Sequence, residues 1–134
     1  MESSTRIIRI EGRVSSGSGE GTKFTKLPWF EEQVRRKLGF APYPGTLNLK
    51  LDEYGKRVKK VLEKTNSIII VPEDGYCRGK CFKVRVMDSV EGAVVIPEVE
   101  GYPDNLLEVV VPINLREKFG LKDGDLVVLD ILVE

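Results

Sequence analysis

The 134-residue chain contains no histidine, and that absence removes whole classes of chemistry. Without an imidazole there is no Ser-His-Asp or Cys-His catalysis and no zinc site that relies on histidine. Any general base has to be a carboxylate, a lysine, a tyrosine, a cysteine or a held water. Net charge is missing as well, since 21 Lys+Arg balance 21 Asp+Glu. Such a chain lacks the long-range field that draws in nucleic acid or an anionic membrane, although a local patch can still bind an anion. No apolar run approaches the ~20 residues that cross a bilayer. The polar first five residues lack the core of a signal peptide, so a cytoplasmic protein is expected.

Cysteine is scarce too. Cys77 and Cys81 flank Arg78-Gly79-Lys80. Two thiolates with no histidine cannot close a tetrahedral metal site, and the spacing is not the C-x-x-C of a redox pair. The expectation is a pair facing each other across a tight turn at Gly79, with neither metal nor redox role.

What is present is ordinary for a globular protein: 41% hydrophobic and 31% charged residues. The length predicts one domain, residues 1–134, with a core large enough to need no staple. Arg6 to Val14 is rich in β-branched residues and reads as a strand. Ser15 to Thr22 has glycines at 17, 19 and 21 and no hydrophobic residue, so it is a loop. Pro28 suits a helix start, Phe30, Val34 and Leu38 recur at helical spacing, and Gly39 suits the stop. Thr46 to Leu51 alternates strictly, with Leu47, Leu49 and Leu51 inward and Thr46, Asn48 and Lys50 on the other face.

Beyond this, Tyr54 to Lys64 reads as a basic amphipathic helix with Val58, Val61 and Leu62 as its apolar side. Ser67 to Val71 is a short strand. Tyr76 to Val86 reads as a hairpin turning near Gly79. Ala93 to Ile96, Leu106 to Val111 and Leu126 to Val133 are further strands, with a short helix from Ile113 to Phe119 closed by Gly120. Many short strands broken by Gly and Pro point to a mainly β fold, a small closed barrel with a few short helices.

Three stretches have the makings of a site. Alternate glycines after a strand let backbone N–H groups converge on an anion, and Lys23 lies just beyond. The pattern is neither a P-loop nor a dinucleotide fingerprint, and a plain surface loop fits it too. In Pro44-Gly45-Thr46-Leu47-Asn48, a hydroxyl and an amide share one strand face. Such oxygens suit Mg²⁺ whose other positions are filled by phosphates and water, and equally a solvated outer face. In Pro112 to Asp125, a helix begins at a strand end beside Asn114 and Arg116, which suits a polar ligand or a simply capped helix. Glu108 interrupts an apolar strand. It is either on the wet face or, in a pocket, an acceptor or base.

Taken together, these stretches carry a resemblance. The order is strand-Gly-x-Gly-x-Gly, Leu-Gly-Phe-x-Pro-Tyr-x-Gly-Thr-Leu-Asn-Leu, Gly-Ala-Val-Val-x-Pro, and Pro-x-x-Leu-Arg-Glu-x-Phe-Gly-Leu-Lys-Asp-Gly-Asp. It resembles the archaeal CTP-dependent riboflavin kinase family from about Ile7 to Ile131, and is weakest between Asp52 and Met87. The resemblance implies a six-stranded cradle-loop β-barrel that transfers the CTP γ-phosphoryl group to the riboflavin 5′-hydroxyl, giving FMN and CDP.

Carried over residue by residue, it assigns the nucleotide to Gly17, Ser18, Gly19, Glu20, Gly21 and Thr22, and to Ile113, Asn114, Leu115 and Arg116. It assigns Mg²⁺ or another divalent cation to Thr46 and Asn48, and the flavin side to Glu108. A second flavin contact, often Thr in the family, falls on Glu100 here. Glu108 is also the candidate base by elimination, since phosphoryl transfer asks mostly for positioning and charge neutralisation. The expected partners are riboflavin and CTP, with no nucleic acid and no membrane, acting on a monomer. The alternative is a DNA-binding regulator of the AbrB-like cradle-loop type, which Pro112 to Asp125 also resembles. That likeness covers only the C-terminal quarter and leaves the glycine loop and Thr46/Asn48 without a role.

Overall fold

The computed structural model describes residues 5–17, 24–73 and 75–134. Seven strands are present among them: β1 Arg6–Ser15, β2 Leu47–Leu51, β3 Ile68–Ile70, β4 Gly79–Val86, β5 Val90–Pro97, β6 Leu106–Val110 and β7 Leu126–Val133. Three helices join them: α1 Pro28–Gln33, α2 Glu53–Glu63 and α3 Leu115–Phe119. Every strand pairing is antiparallel. The order β4-β5-β6-β2-β1-β7 closes on itself because β7 also pairs with β4, while β3 adds to the other end of β4. The result is the expected six-stranded barrel, with closure removing the exposed sheet edges.

Period-2 alternation builds the interior. Leu47, Leu49 and Leu51 point inward as expected, and meet Ile10, Val14, Phe82, Val84, Val86, Val94, Leu107, Val109 and Leu129 in the inner core. A second apolar cluster lies on the outside of the wall. There Cys81, Ala93, Val95 and Val110 face outward from β4, β5 and β6 and are covered by Phe30, Val34 and Leu38. The covering helix starts at Pro28 with no side-chain cap. It widens into a π turn over Val34–Leu38, where the Gly39 N–H reaches back to the Val34 carbonyl at 3.0 Å. Gly39 ends it at φ 87°, a left-handed conformation that favours glycine.

The structure corrects three sequence readings. Residues 79–86 are one strand, so no hairpin turns at Gly79; β5 pairs with its whole length, and β3, before it in the chain, pairs with residues 79–81 alone. Gly79 is instead a close-packing position, where an added Cβ would lie 3.3 Å from the Val95 side chain. Cys77 and Cys81 therefore do not face each other. Cys81 is buried on β4, Cys77 is exposed, and both thiols are free. On α2, Val58 and Leu62 join the inner core but Val61 is 55% exposed, and the buried neighbour is Lys59. At 100° per residue, Lys59 falls between the inward face and the chain segment after β5, whereas Val61 points away.

The tightest backbone approach is at Gly92 on β5. An added Cβ there would stand 2.3 Å from the Val110 carbonyl oxygen and 2.5 Å from Val111 Cγ1. Because the obstacle includes backbone, Gly92→Ala should destabilise the barrel by at least the 1–3 kcal/mol that is roughly typical of overpacking, measured as a lower urea midpoint.

Candidate functional site

A row of outward-facing residues crosses the barrel wall. The registers place Cys81 opposite Val95, Val95 opposite Glu108, Glu108 opposite Asn48, and Asn48 opposite Ser15. Directly opposed residues put their side chains on the same face. The row thus runs from apolar on β4 and β5 to polar on β6, β2 and β1. The first part is covered by α1 and the π turn that follows it.

Glu108 is the hinge of the row. It lies on the outer face, as a lone strand carboxylate would, yet is only 8% exposed. Its burial is matched by donors: the Thr46 hydroxyl reaches Oε1 at 2.8 Å and the Tyr102 hydroxyl reaches Oε2 at 2.5 Å. Burial, and then the Glu108 bond, push the Tyr102 phenol far above its ordinary range, so it stays a donor at all working pH values.

The same bonds orient the candidate metal donors. Thr46 spends its proton on Glu108, which leaves its oxygen lone pairs for another partner. The Asn48 Nδ2 lies 3.4 Å from the Thr46 carbonyl, which turns its Oδ1 away. Two neutral oxygens in this arrangement fit Mg²⁺ shared with phosphate oxygens and water. They do not make a cage by themselves, and no cluster of three or more His, Cys, Asp or Glu suited to a metal occurs among the described residues.

Gly17 packs against Asn48. A Cβ added there would sit 2.4 Å from Asn48 Nδ2, so only the bare backbone fits beside the amide. The rest of the glycine loop, Ser18, Gly19, Glu20, Gly21 and Thr22, lies outside the described residues, as does Lys23. Its start is anchored nonetheless. The Ser16 hydroxyl donates to Asp123 at 2.8 Å, and Arg116 bonds the other Asp123 oxygen at 2.8 Å and the Ser15 carbonyl at 3.4 Å. These donors, Arg116 first, hold the Asp123 carboxyl below the usual carboxylate range.

On the other flank, a cavity of about 220 Å³ is bounded by Tyr43, Thr46, Ile113, Asn114 and Arg116. Asn114 caps α3, its Oδ1 accepting the Glu117 N–H at 3.1 Å, while its Nδ2 lies 3.4 Å from the Tyr43 hydroxyl. The helix N-terminus is therefore partly spent on its own cap, and what Asn114 offers a ligand is its amide N–H. A shallow apolar groove of about 90 Å³ lies beyond Val95, walled by Phe24, Trp29, Tyr76, Cys77 and Pro97. A larger cavity of about 660 Å³, along Lys83, Arg85 and Asp130, contains none of the candidate residues.

The structure thus gathers Gly17, Thr46, Asn48, Glu108 and Ile113–Arg116 at one end of the barrel. Glu100 is exposed, on the loop after β5. Two participants were missed from sequence. Tyr102 had no signal beyond being an aromatic in a Gly-Pro loop. Thr25, whose hydroxyl accepts the Gly45 N–H at 2.7 Å, is buried, and no motif or spacing marks it. Gly17→Ala should leave the urea midpoint nearly unchanged, because the obstacle is a side-chain amide that can swing. It should lower the affinity for nucleotide in Mg²⁺ by moving Asn48, read by titration with and without EDTA.

The model of the family CTP-dep_RFKase, described as a domain of unknown function, DUF120, matches residues 14–131. The chain is 41% identical over 130 residues to a riboflavin kinase of Archaeoglobus fulgidus, covering 94% of this chain and 55% of that protein. It is 41% identical over 134 residues to a riboflavin kinase of Pyrobaculum islandicum, covering 95% and 62%, and 41% identical over 129 residues to one of Methanosarcina barkeri, covering 93% and 57%. It therefore spans between 55% and 62% of the length of these three relatives. With the family model matching most of its residues, this chain belongs to the CTP-dep_RFKase family.

Proposed function

We propose that this chain is a riboflavin kinase domain that transfers the γ-phosphoryl group of CTP to the riboflavin 5′-hydroxyl, giving FMN and CDP. The observation that carries the reading is the row Val95–Glu108–Asn48–Ser15. It sets an apolar surface, a buried acceptor, two oxygen donors and the start of a glycine loop side by side on adjacent strands. At about 4.8 Å per strand spacing, Glu108 and Ser15 are roughly 10 Å apart, room for an alcohol and a polyphosphate to meet between them.

In this reading the flavin ring lies in the aromatic groove past Val95 and its side chain runs toward Glu108. The Glu108 carboxylate accepts the hydrogen bond of the 5′-hydroxyl and orients its oxygen at the γ-phosphorus. The new O–P bond forms as the bond to the β,γ-bridging oxygen breaks, and the hydroxyl proton passes to Glu108 or to water. A loose transition state of this kind needs little from a base and much from positioning. Thr46 and Asn48 would hold Mg²⁺, which when bound neutralises phosphate charge. Backbone N–H groups from Gly17 onward, and Arg116, take the remaining phosphate oxygens. Ile113, Asn114 and Leu115 face the nucleoside. The DNA-binding alternative gives Glu108, Tyr102 and Thr46 nothing to do.

FMN should form when the protein is incubated with riboflavin, Mg²⁺ and CTP, resolved by chromatography. No product with CTP or ATP would overturn the kinase reading, and faster turnover with ATP would overturn the choice of CTP alone. Asn48→Ala should weaken nucleotide binding in Mg²⁺ by about tenfold, the scale of one bond to a charged partner, and leave binding in EDTA unchanged.

The groove assignment has its own readout. Burial pushes the Cys81 thiol up to about 12, so it is inert in the folded protein, whereas Cys77 is exposed on the groove wall. Near pH 8, a thiol reagent should therefore modify one cysteine quickly and the second only on unfolding. Riboflavin should slow the fast reaction, and undiminished labelling of Cys77 at saturating riboflavin would place the ring elsewhere.

A further inference from the structure

Glu108 has a support that neither the sequence motifs nor the family resemblance assign. Tyr102, which donates to its Oε2, is half-buried in the loop between β5 and β6 and lies against the side chain of Lys59. That lysine is 3% exposed, an unusual place for an ammonium group. Its Nζ donates to the Pro103 and Leu106 carbonyls, both at 2.8 Å, and stands 4.6 Å from the centre of the Tyr102 ring. All three N–H bonds thus have an electron-rich partner, two oxygens and a π face. Burial lowers the Lys59 pKa from its ordinary value.

The carbonyls that Lys59 holds belong to Pro103, next to Tyr102, and to Leu106, the first residue of β6, so one side chain ties together the short segment that joins Tyr102 to the Glu108 strand. The inner core does not need a cation there; Val58 and Leu62 already seat α2 on the barrel. A buried lysine is costly unless fully bonded, and its position is explained by what it orders. With Thr46 on one oxygen and Tyr102 on the other, the Glu108 carboxylate cannot rotate. Its remaining lone pairs, one set on each oxygen, therefore have fixed directions in which to accept a substrate hydroxyl.

We propose that Tyr102, seated on Lys59, is a positioning residue that aims the Glu108 carboxylate at the riboflavin hydroxyl, with Lys59 acting through it. This rests on the kinase reading for the identity of the alcohol. Tyr102 serves the flavin side and leaves the nucleotide side, on α3 and β1, untouched.

The test is binding of riboflavin, followed by flavin fluorescence, to the full chain carrying Tyr102→Phe, Lys59→Met or both, with CTP binding measured in parallel. Tyr102→Phe keeps the ring over the ammonium and removes only the hydroxyl. It should weaken riboflavin binding by about tenfold, the scale of one hydrogen bond to a carboxylate, raise KM for riboflavin, and leave CTP affinity unchanged. Lys59→Met should weaken riboflavin binding in the wild-type background and add nothing once the Tyr102 hydroxyl is gone. Tyr102→Phe carries the test alone if Lys59→Met does not fold. Unchanged riboflavin affinity in Tyr102→Phe, an equal fall in CTP affinity, or an additive double variant would overturn the proposal. Wild-type protein that binds riboflavin but forms no FMN would overturn the kinase reading only, and wild-type protein that does not bind riboflavin would overturn both.

Discussion

A carboxylate on a β-barrel wall stays buried only if its surroundings supply hydrogen-bond donors in place of water. Glu108 meets that condition through two hydroxyls from different parts of the chain, Thr46 beside β2 and Tyr102 from the loop that precedes β6. The cost of an unpaired buried charge is several kcal/mol, so these two donors and the carboxylate constrain one another. The β2–β6 register that puts Asn48 opposite Glu108 also puts Thr46 within reach of it. The loop from Pro97 to Leu106 has to return Tyr102 over the wall, and Lys59 holds that loop from below.

Barrel closure converts this local arrangement into a site. β1 joins β2 along residues 12–15 and β7 along residues 6–13, so its C-terminal end arrives beside Asn48. The turn before β7 is sewn to the same end: Gly124 donates to the Val14 carbonyl at 2.7 Å, and Asp123 takes Ser16 and Arg116. Ser15 and Ser16, at the end of β1, are thus tied to Arg116 and Asp123, which lie far along the chain.

Much of the fold was legible because its signals are local. Alternation in 46–51, the Phe30-Val34-Leu38 spacing with Gly39 behind it, and the unbroken run 126–133 each report burial on one face, and the structure places them accordingly. The failures share a cause. Gly79 in isolation is a turn residue, which sets Cys77 and Cys81 on either side of a turn; its real role is to let β4 pass close to Val95 on the paired strand β5. Val61 and Lys59 were assigned by polarity, but which helix flank is buried depends on the loop packed against it. The site was half legible. Thr46, Asn48, Glu108 and Ile113–Arg116 stood out by motif, while Tyr102, Thr25 and Lys59 act through contacts that no spacing announces.

Residue type and order along the chain carry most of the strand and helix positions, the inward face of strands such as β2, the chemistry that a chain without histidine must forgo, and the motifs of its family. Those properties follow from residue type and short-range periodicity, which are written along the chain. Tertiary structure alone decided that Glu108 is buried on an outer face, that its two oxygens are taken by Thr46 and Tyr102, and that a helix lysine lies beneath them. These depend on strand register and loop return, where a shift of one residue would turn every side chain of a strand to the opposite face.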